Sequence, residues 1–239
     1  MASEVARGTG RSRAGKAAGL ALMAPTDGAR SQSEEAYLRI LDKIVSLDLP
    51  PGSVVQEGRL REDLAIGRTP IREALQRLAQ ENFVRSIPHR GTFVTEVNIT
   101  DLARITEVRF VLEAHAARMA AERATTADRE AIGELLAVLE GGGATDQRGL
   151  MRLDQEIHRR VYRAARNSFL ESTLERYLNL SLRLWYLVLD REVRLREAVD
   201  EHIDLLRAIL GGDGAGAEAI MRRHVSGFGR EIRKVLVEG

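Results

Sequence analysis

The chain has 239 residues, 44% of them hydrophobic and 30% charged, which is enough apolar material for two modest cores and excludes a purely solvated chain. No run reaches the roughly eighteen uninterrupted apolar residues that a membrane span needs, so a soluble protein is expected. Cysteine is absent, which excludes disulfides and thiolate metal sites, suits a reducing cytoplasm and leaves any metal to His, Asp or Glu.

The formal net charge is only +1. It is spread unevenly: residues 1–32 hold five basic against two acidic side chains, residues 33–96 nine against ten, and residues 97–239 twenty-two against twenty-three. Residues 1–32 are rich in Ala, Gly, Ser and Arg without periodicity, and are expected to form a disordered tail. From Ser33, Tyr37, Ile40, Leu41, Ile44, Val45 and Leu47 recur at three- and four-residue steps and predict a helix that Pro50-Pro51-Gly52 must end. A second helix is predicted from Gly58 to Ala65. After a turn at Ile66-Gly67, a third opens on Thr69-Pro70 and carries Ile71, Ala74, Leu75 and Leu78 on one face. Residues 84–97 hold two short apolar runs around His89-Arg90-Gly91 and read as a hairpin turned at Gly91.

Beyond Asn98 every signal is helical, with breaks near Thr125-Thr126, Gly141 to Gly143, Arg166-Asn167, Asp190 and Gly211 to Gly214. Six helices fit, and short loops make antiparallel neighbours. Asn167 reads as a helix cap, His115 as packing among alanines, and His89 as a residue of the hairpin. The expected fold is therefore mainly α. It has an amino-terminal winged helix-turn-helix over residues 33–96 and an all-α antiparallel bundle of about six helices over residues 97–239.

Two short helices, a tight turn and a two-stranded wing form an element whose second helix can enter the major groove of double-stranded DNA. Between residues 66 and 90, Arg68, Arg72, Arg77, Arg85 and Arg90 face only Glu73 and Glu81, a local excess of positive charge. Arg68 and Arg72 flank the start of the third helix four residues apart, where two guanidinium groups can reach guanine edges or phosphates. Thr69 can add a phosphate contact, and Arg90 at the wing tip can reach the minor groove.

In the helical part, His158 follows Asp154 by one helical turn, and His202 and His224 lie on the last two helices. In a bundle these side chains can converge on zinc, nickel or manganese, with positions left open for a ligand oxygen. Packing, or a simple Asp–His hydrogen bond, explains the same spacing. Arg109 either holds a ligand carboxylate through two parallel hydrogen bonds or forms an ordinary interhelical salt bridge. Arg183 and Trp185 either line the same cavity or belong to a packed helix surface.

The residues Arg68-Thr69-Pro70-Ile71-Arg72-Glu73-Ala74-Leu75, with Leu60 to Gly67 before them and Pro51-Gly52, Glu57 and Gly91 around them, resemble the GntR family of bacterial regulators. Residues 98–236 resemble the FCD effector domain of its FadR-type members, through Asp154-Gln155-Glu156-Ile157-His158, His202, His224 and Arg109. The resemblance implies a cytoplasmic, nucleoid-associated homodimer that binds inverted-repeat operators through Arg68, Thr69, Arg72 and Arg90. It also implies shared metal ligation by Asp154, His158, His202 and His224, zinc being the favoured divalent ion, and a small organic acid effector held with Arg109. The combination points to a metabolite-responsive repressor with no enzymatic activity. A metal-dependent enzyme acting on a small acid and a regulator with a purely structural metal are the alternatives. Three positions depart from the family pattern: Arg61 replaces alanine, Ala65 glycine and Gly67 serine. Ala65 is the consequential one, because a demand for positive φ there would force the turn to be remodelled.

Overall fold

The computed structural model describes residues 31–188 and 195–238; the expected tail over residues 1–30 and the break at Asp190 lie outside the described residues. Helix α1 (Gln32–Val45) starts where the Ser31 hydroxyl accepts from the amide of Glu34, with Glu34 and Glu35 in the first turn, where the helix dipole favours acids. Its apolar stripe buries Tyr37, Ile40, Leu41, Ile44 and Val45. The helix stops before Leu47, which takes a φ of 64°, so the chain leaves helical geometry ahead of the two prolines.

Helices α2 (Glu57–Leu64) and α3 (Arg68–Gln80) form the helix-turn-helix. The turn between them keeps its shape: Ala65 itself adopts the left-handed conformation, φ 55° and ψ 35°, that the position demands. Ile66, in the same turn, is buried beneath it. The wing has three strands, one more than the sequence predicted, in the order β1-β3-β2. Strand β1 (Val54–Val55) pairs antiparallel with β3 (Gly91–Val94), and β3 pairs with β2 (Val84–Ile87) in the register Val84 with Val94 and Ile87 with Gly91.

Helices α4 (Ile99–Arg123), α5 (Thr126–Glu140), α6 (Gln147–Ala164), α7 (Ser168–Val188), α8 (Leu195–Leu210) and α9 (Gly214–Glu238) are the six helices found beyond Asn98 among the described residues. Four of these starts carry a cap: Asn98 accepts from Asp101, Thr125 and Asp128 form a capping box, Asp146 accepts from Gly149, and Asn167 accepts from Phe169 and Leu170. Helix α4 is central and packs against α6, α7, α8 and α9. Its buried Ala114, Ala116, Ala117, Ala120 and Ala121 present little side-chain bulk, which lets four neighbours approach one helix. His115 breaks the expectation of packing, because it lies on the exposed side between those alanines. No described helix is long and apolar enough to cross a membrane.

Candidate metal centre and nucleic-acid interface

Arg68, Thr69 and Arg72 are all exposed at the front of α3, and Arg90 is exposed in the turn between β2 and β3. Gly67 stands at the N-cap without a side chain to satisfy the first amides of α3, which leaves that end suited to an anion. The Arg72 Nε donates to Glu57 Oε2 at 3.1 Å, so α2 holds the guanidinium at the mouth of the motif. Arg77 departs from the basic cluster read in the sequence. It reaches back to Glu34 at 2.7 Å and Glu81 at 3.2 Å, and its guanidinium lies 3.6 Å from the centre of the Tyr37 ring. Arg77 thus ties α3 to α1, and the arginines left at the front are those of the first turns of α3 and of the wing.

The helical part buries a cluster of polar side chains. Asp154 and His158 on α6, His202 on α8 and His224 on α9 are all buried, and each offers one ligand atom within 4.8 Å of the others. His158 Nε2 lies 3.3 Å from His224 Nε2 and 3.8 Å from Asp154 Oδ1, and His202 Nε2 lies 3.9 Å from the same carboxylate oxygen. Every Nδ1 has an acceptor on its other side. His158 Nδ1 faces Glu113 Oε2 at 2.9 Å, His202 Nδ1 faces the Val199 carbonyl at 3.2 Å, and His224 Nδ1 faces Glu201 Oε2 at 3.0 Å.

A neutral imidazole carries one proton, so protons on Nδ1 leave three Nε2 lone pairs confronting one another and a carboxylate oxygen. The buried His202 Nε2 has no hydrogen-bond partner. Burial, reinforced by the His224 and His158 charges, also holds the His202 pKa well below the ordinary histidine range. Four acceptors crowded in this way repel unless a cation lies between them, so the donor set fits a divalent ion of the kind that nitrogen and carboxylate ligands share.

Around this centre lies a cavity of only ≈ 10 Å³, lined by Arg109, Asp154, His158, His224, Trp185 and Phe228 among others. That is room for an ion or one water and too small for an organic acid. Arg109 is buried there: its Nε binds Glu113 Oε1, NH1 donates to Ser181 Oγ at 2.8 Å, and the guanidinium lies 4.9 Å from the centre of the Phe228 ring. The salt bridge of Arg109 thus lies within α4 and not between helices, and the side chain borders the cavity. Trp185 lines the cavity, but Arg183 points elsewhere. Its NH1 donates to Thr95 Oγ1 at 2.9 Å and its NH2 to the Thr95 carbonyl, at the end of the wing. Residue 183 lies on the opposite face of α7 from Ser181 and Trp185, and that is why the structure separates it from the histidines.

Glu113, Glu201, Ser181 and Phe228 were missed as site residues from sequence. Glu113 stands one turn after Arg109 and Glu201 next to His202, but neither spacing tells which nitrogen a carboxylate will meet.

Residues 32–94 match the family model of the bacterial regulatory proteins of the gntR family, and residues 104–227 match the FCD domain model. A transcriptional regulator of the helix-turn-helix type from an unstable DNA locus of Streptomyces ambofaciens is 28% identical over 215 residues, 89% of each chain. The HTH-type transcriptional repressor RspR of Escherichia coli is 21% identical, covering 86% of this chain and 91% of its own. Among solved structures, Escherichia coli McbR/YncC superposes with a TM-score of 0.74 at 22% identity, over 87% of this chain and 99% of that one, a likeness of fold.

Proposed function

Because the chain belongs to the GntR family of bacterial regulatory proteins with an FCD domain, and so is a transcriptional regulator, we propose that its grip on operator DNA is controlled by a small organic acid bound beside a divalent metal at Asp154, His158, His202 and His224. The observation that carries this reading is the buried set of three inward Nε2 atoms and one carboxylate oxygen, each imidazole backed by an acceptor at Nδ1. Zinc is the favoured ion, with nickel and manganese as the other ions this donor set suits. When bound, such an ion supplies a positive point charge with coordination positions open to a carboxylate oxygen.

At the other end of the molecule, Arg68 and Arg72 read base edges or phosphates in the major groove, Thr69 adds a phosphate contact and Arg90 lies along the minor groove. Two copies spanning an inverted repeat match protein symmetry to operator symmetry, so the working unit is a homodimer in the bacterial cytoplasm.

Helix α7 links the two ends. Leu178, Ser181, Leu182 and Trp185 on one face line the cavity, while on the opposite face Arg176 donates to the Glu81 carbonyl at the end of α3 and Arg183 holds Thr95. An acid that enters a cavity of ≈ 10 Å³ must push its walls apart, and α7 is the wall whose other face holds the DNA-binding head. Such a ligand acts only insofar as it favours one arrangement of α7 over another.

The small cavity equally supports a second reading, in which the ion only ties α6, α8 and α9 together. Thermal shift with organic acids on metal-loaded and metal-stripped protein, followed by operator binding with each hit, separates the two. Metal-dependent acid binding that alters the affinity for a palindromic duplex supports sensing. Metal-dependent melting with operator binding indifferent to every acid supports a structural ion, and no preference for any palindrome over scrambled DNA at moderate salt overturns the DNA assignment.

A further inference from the structure

Glu113 is fully buried in the middle of α4, between the side chain assigned to the effector and the side chains assigned to the metal. Its two oxygens are divided between them. Oε1 accepts from Arg109 Nε, and Oε2 faces His158 Nδ1 at 2.9 Å. The Tyr162 hydroxyl lies 3.3 Å from the same Nδ1 and can donate or accept as required. A buried carboxylate is costly to leave unpaired, and Oε2 meets His158 Nδ1 at close range without a well-aligned hydrogen bond.

We propose that Glu113 is a positioning residue which, with one carboxylate, keeps His158 in its Nδ1–H tautomer for metal binding and fixes Arg109 at the edge of the cavity, so that the ion and the effector arginine are coupled through a single side chain. The proposal rests on the metal reading above. Its chemical core is that two N–H donors, one on each side, require two acceptor oxygens, which a carboxylate supplies and an amide does not. In Glu113→Gln, one oxygen must serve either Arg109 or His158. A buried guanidinium whose Nε is left without an acceptor is the costlier loss, so the oxygen goes to Arg109 and the amide N–H₂ turns toward His158. His158 then accepts at Nδ1 and carries its proton on Nε2, the atom that should face the ion.

The test uses full-length protein. Nitrogen NMR of the metal-free chain reads the His158 tautomer directly, and competition against a zinc chelator reads affinity. Wild type is expected as Nδ1–H and Glu113→Gln as Nε2–H, with zinc affinity about 10–100-fold weaker, the range for loss of a partner that orients a ligand. The double variant Arg109→Met with Glu113→Gln frees the amide oxygen for His158, and is expected to restore Nδ1–H and recover most of the affinity. A merely structural role for Glu113 would not be rescued by removing a second buried side chain. Unchanged tautomer and affinity in Glu113→Gln, or a double variant no better than the single one, overturns the proposal. Should Glu113→Gln fail to fold, the double variant, which buries neither charge, carries the test: Nε2–H at its His158 overturns the assignment. If wild type binds no zinc at all, the metal reading fails, while the tautomer comparison still decides what Glu113 does.

Discussion

The two ends of this molecule handle charge in opposite ways. The winged helix sets Arg68, Arg72 and Arg90 in solvent, and its fold asks little of them. The helical part removes Arg109, Glu113, Asp154, His158, His202 and His224 from water, so its fold depends on their being paired. The lesson is that function and stability are separable in the head and bound together in the bundle.

Metal removal should break the contrast most severely. Stripping the ion is expected to lower stability by about 4 kcal/mol when the free ion had stood a thousandfold above its Kd, read as a melting shift that added zinc reverses. The stripped protein should also become sensitive to acid. Burial, with the His224 and His158 charges behind it, keeps His202 unprotonated in the fold, whereas the unfolded chain takes up that proton near pH 6.5. The unfolded state then binds more protons, so stability should be full above about pH 6.5 and fall as the pH is lowered; a melting temperature indifferent to acid would contradict this.

The head should give the reverse pattern. Arg72→Ala is expected to weaken specific operator binding by about 1–3 kcal/mol in a titration against scrambled duplex. Since the side chain is exposed, the melting curve should move by no more than about 0.5 kcal/mol, and a larger loss would show that the head is not modular. Ala65→Gly should stabilise the protein by about 1 kcal/mol in denaturant unfolding, because glycine adopts the positive φ at little steric cost. Smallest of all, Gly67→Ser supplies a cap oxygen to α3 and should add a few tenths of a kcal/mol by the same measurement.

Much of this was legible in the residues. The stripe from Tyr37 to Val45, the break at Thr125-Thr126, the cap at Asn167 and the glycine breaks position the helices, and the turn residue Ala65 announced its own strain. Strand β1 was not legible, because two valines carry no period and become a strand only when β3 offers them partners. Helix α7 buries residues on both sides, Arg183 and Leu184 as well as Leu178 and Trp185, so hydrophobicity could not say which way Arg183 turns. His115 sits among alanines, which are small enough for either face and so orient nothing. Of the candidate site, the donor types and helices were readable, but the partners of each Nδ1 depend on which helices lie side by side.

Arg183 fastens the wing to α7 through Thr95. That guanidinium is dry, its Nε meets no acceptor, and burial pushes its pKa down to about 10 even with Glu96 and Asp101 drawing it the other way. A cation held against the neutral oxygens of a single threonine gains little from closing that seam, so parting the wing from α7 costs correspondingly little. Each 1.4 kcal/mol or so by which a bound ligand favoured one orientation of the wing against α7 would shift the ratio of the two about tenfold.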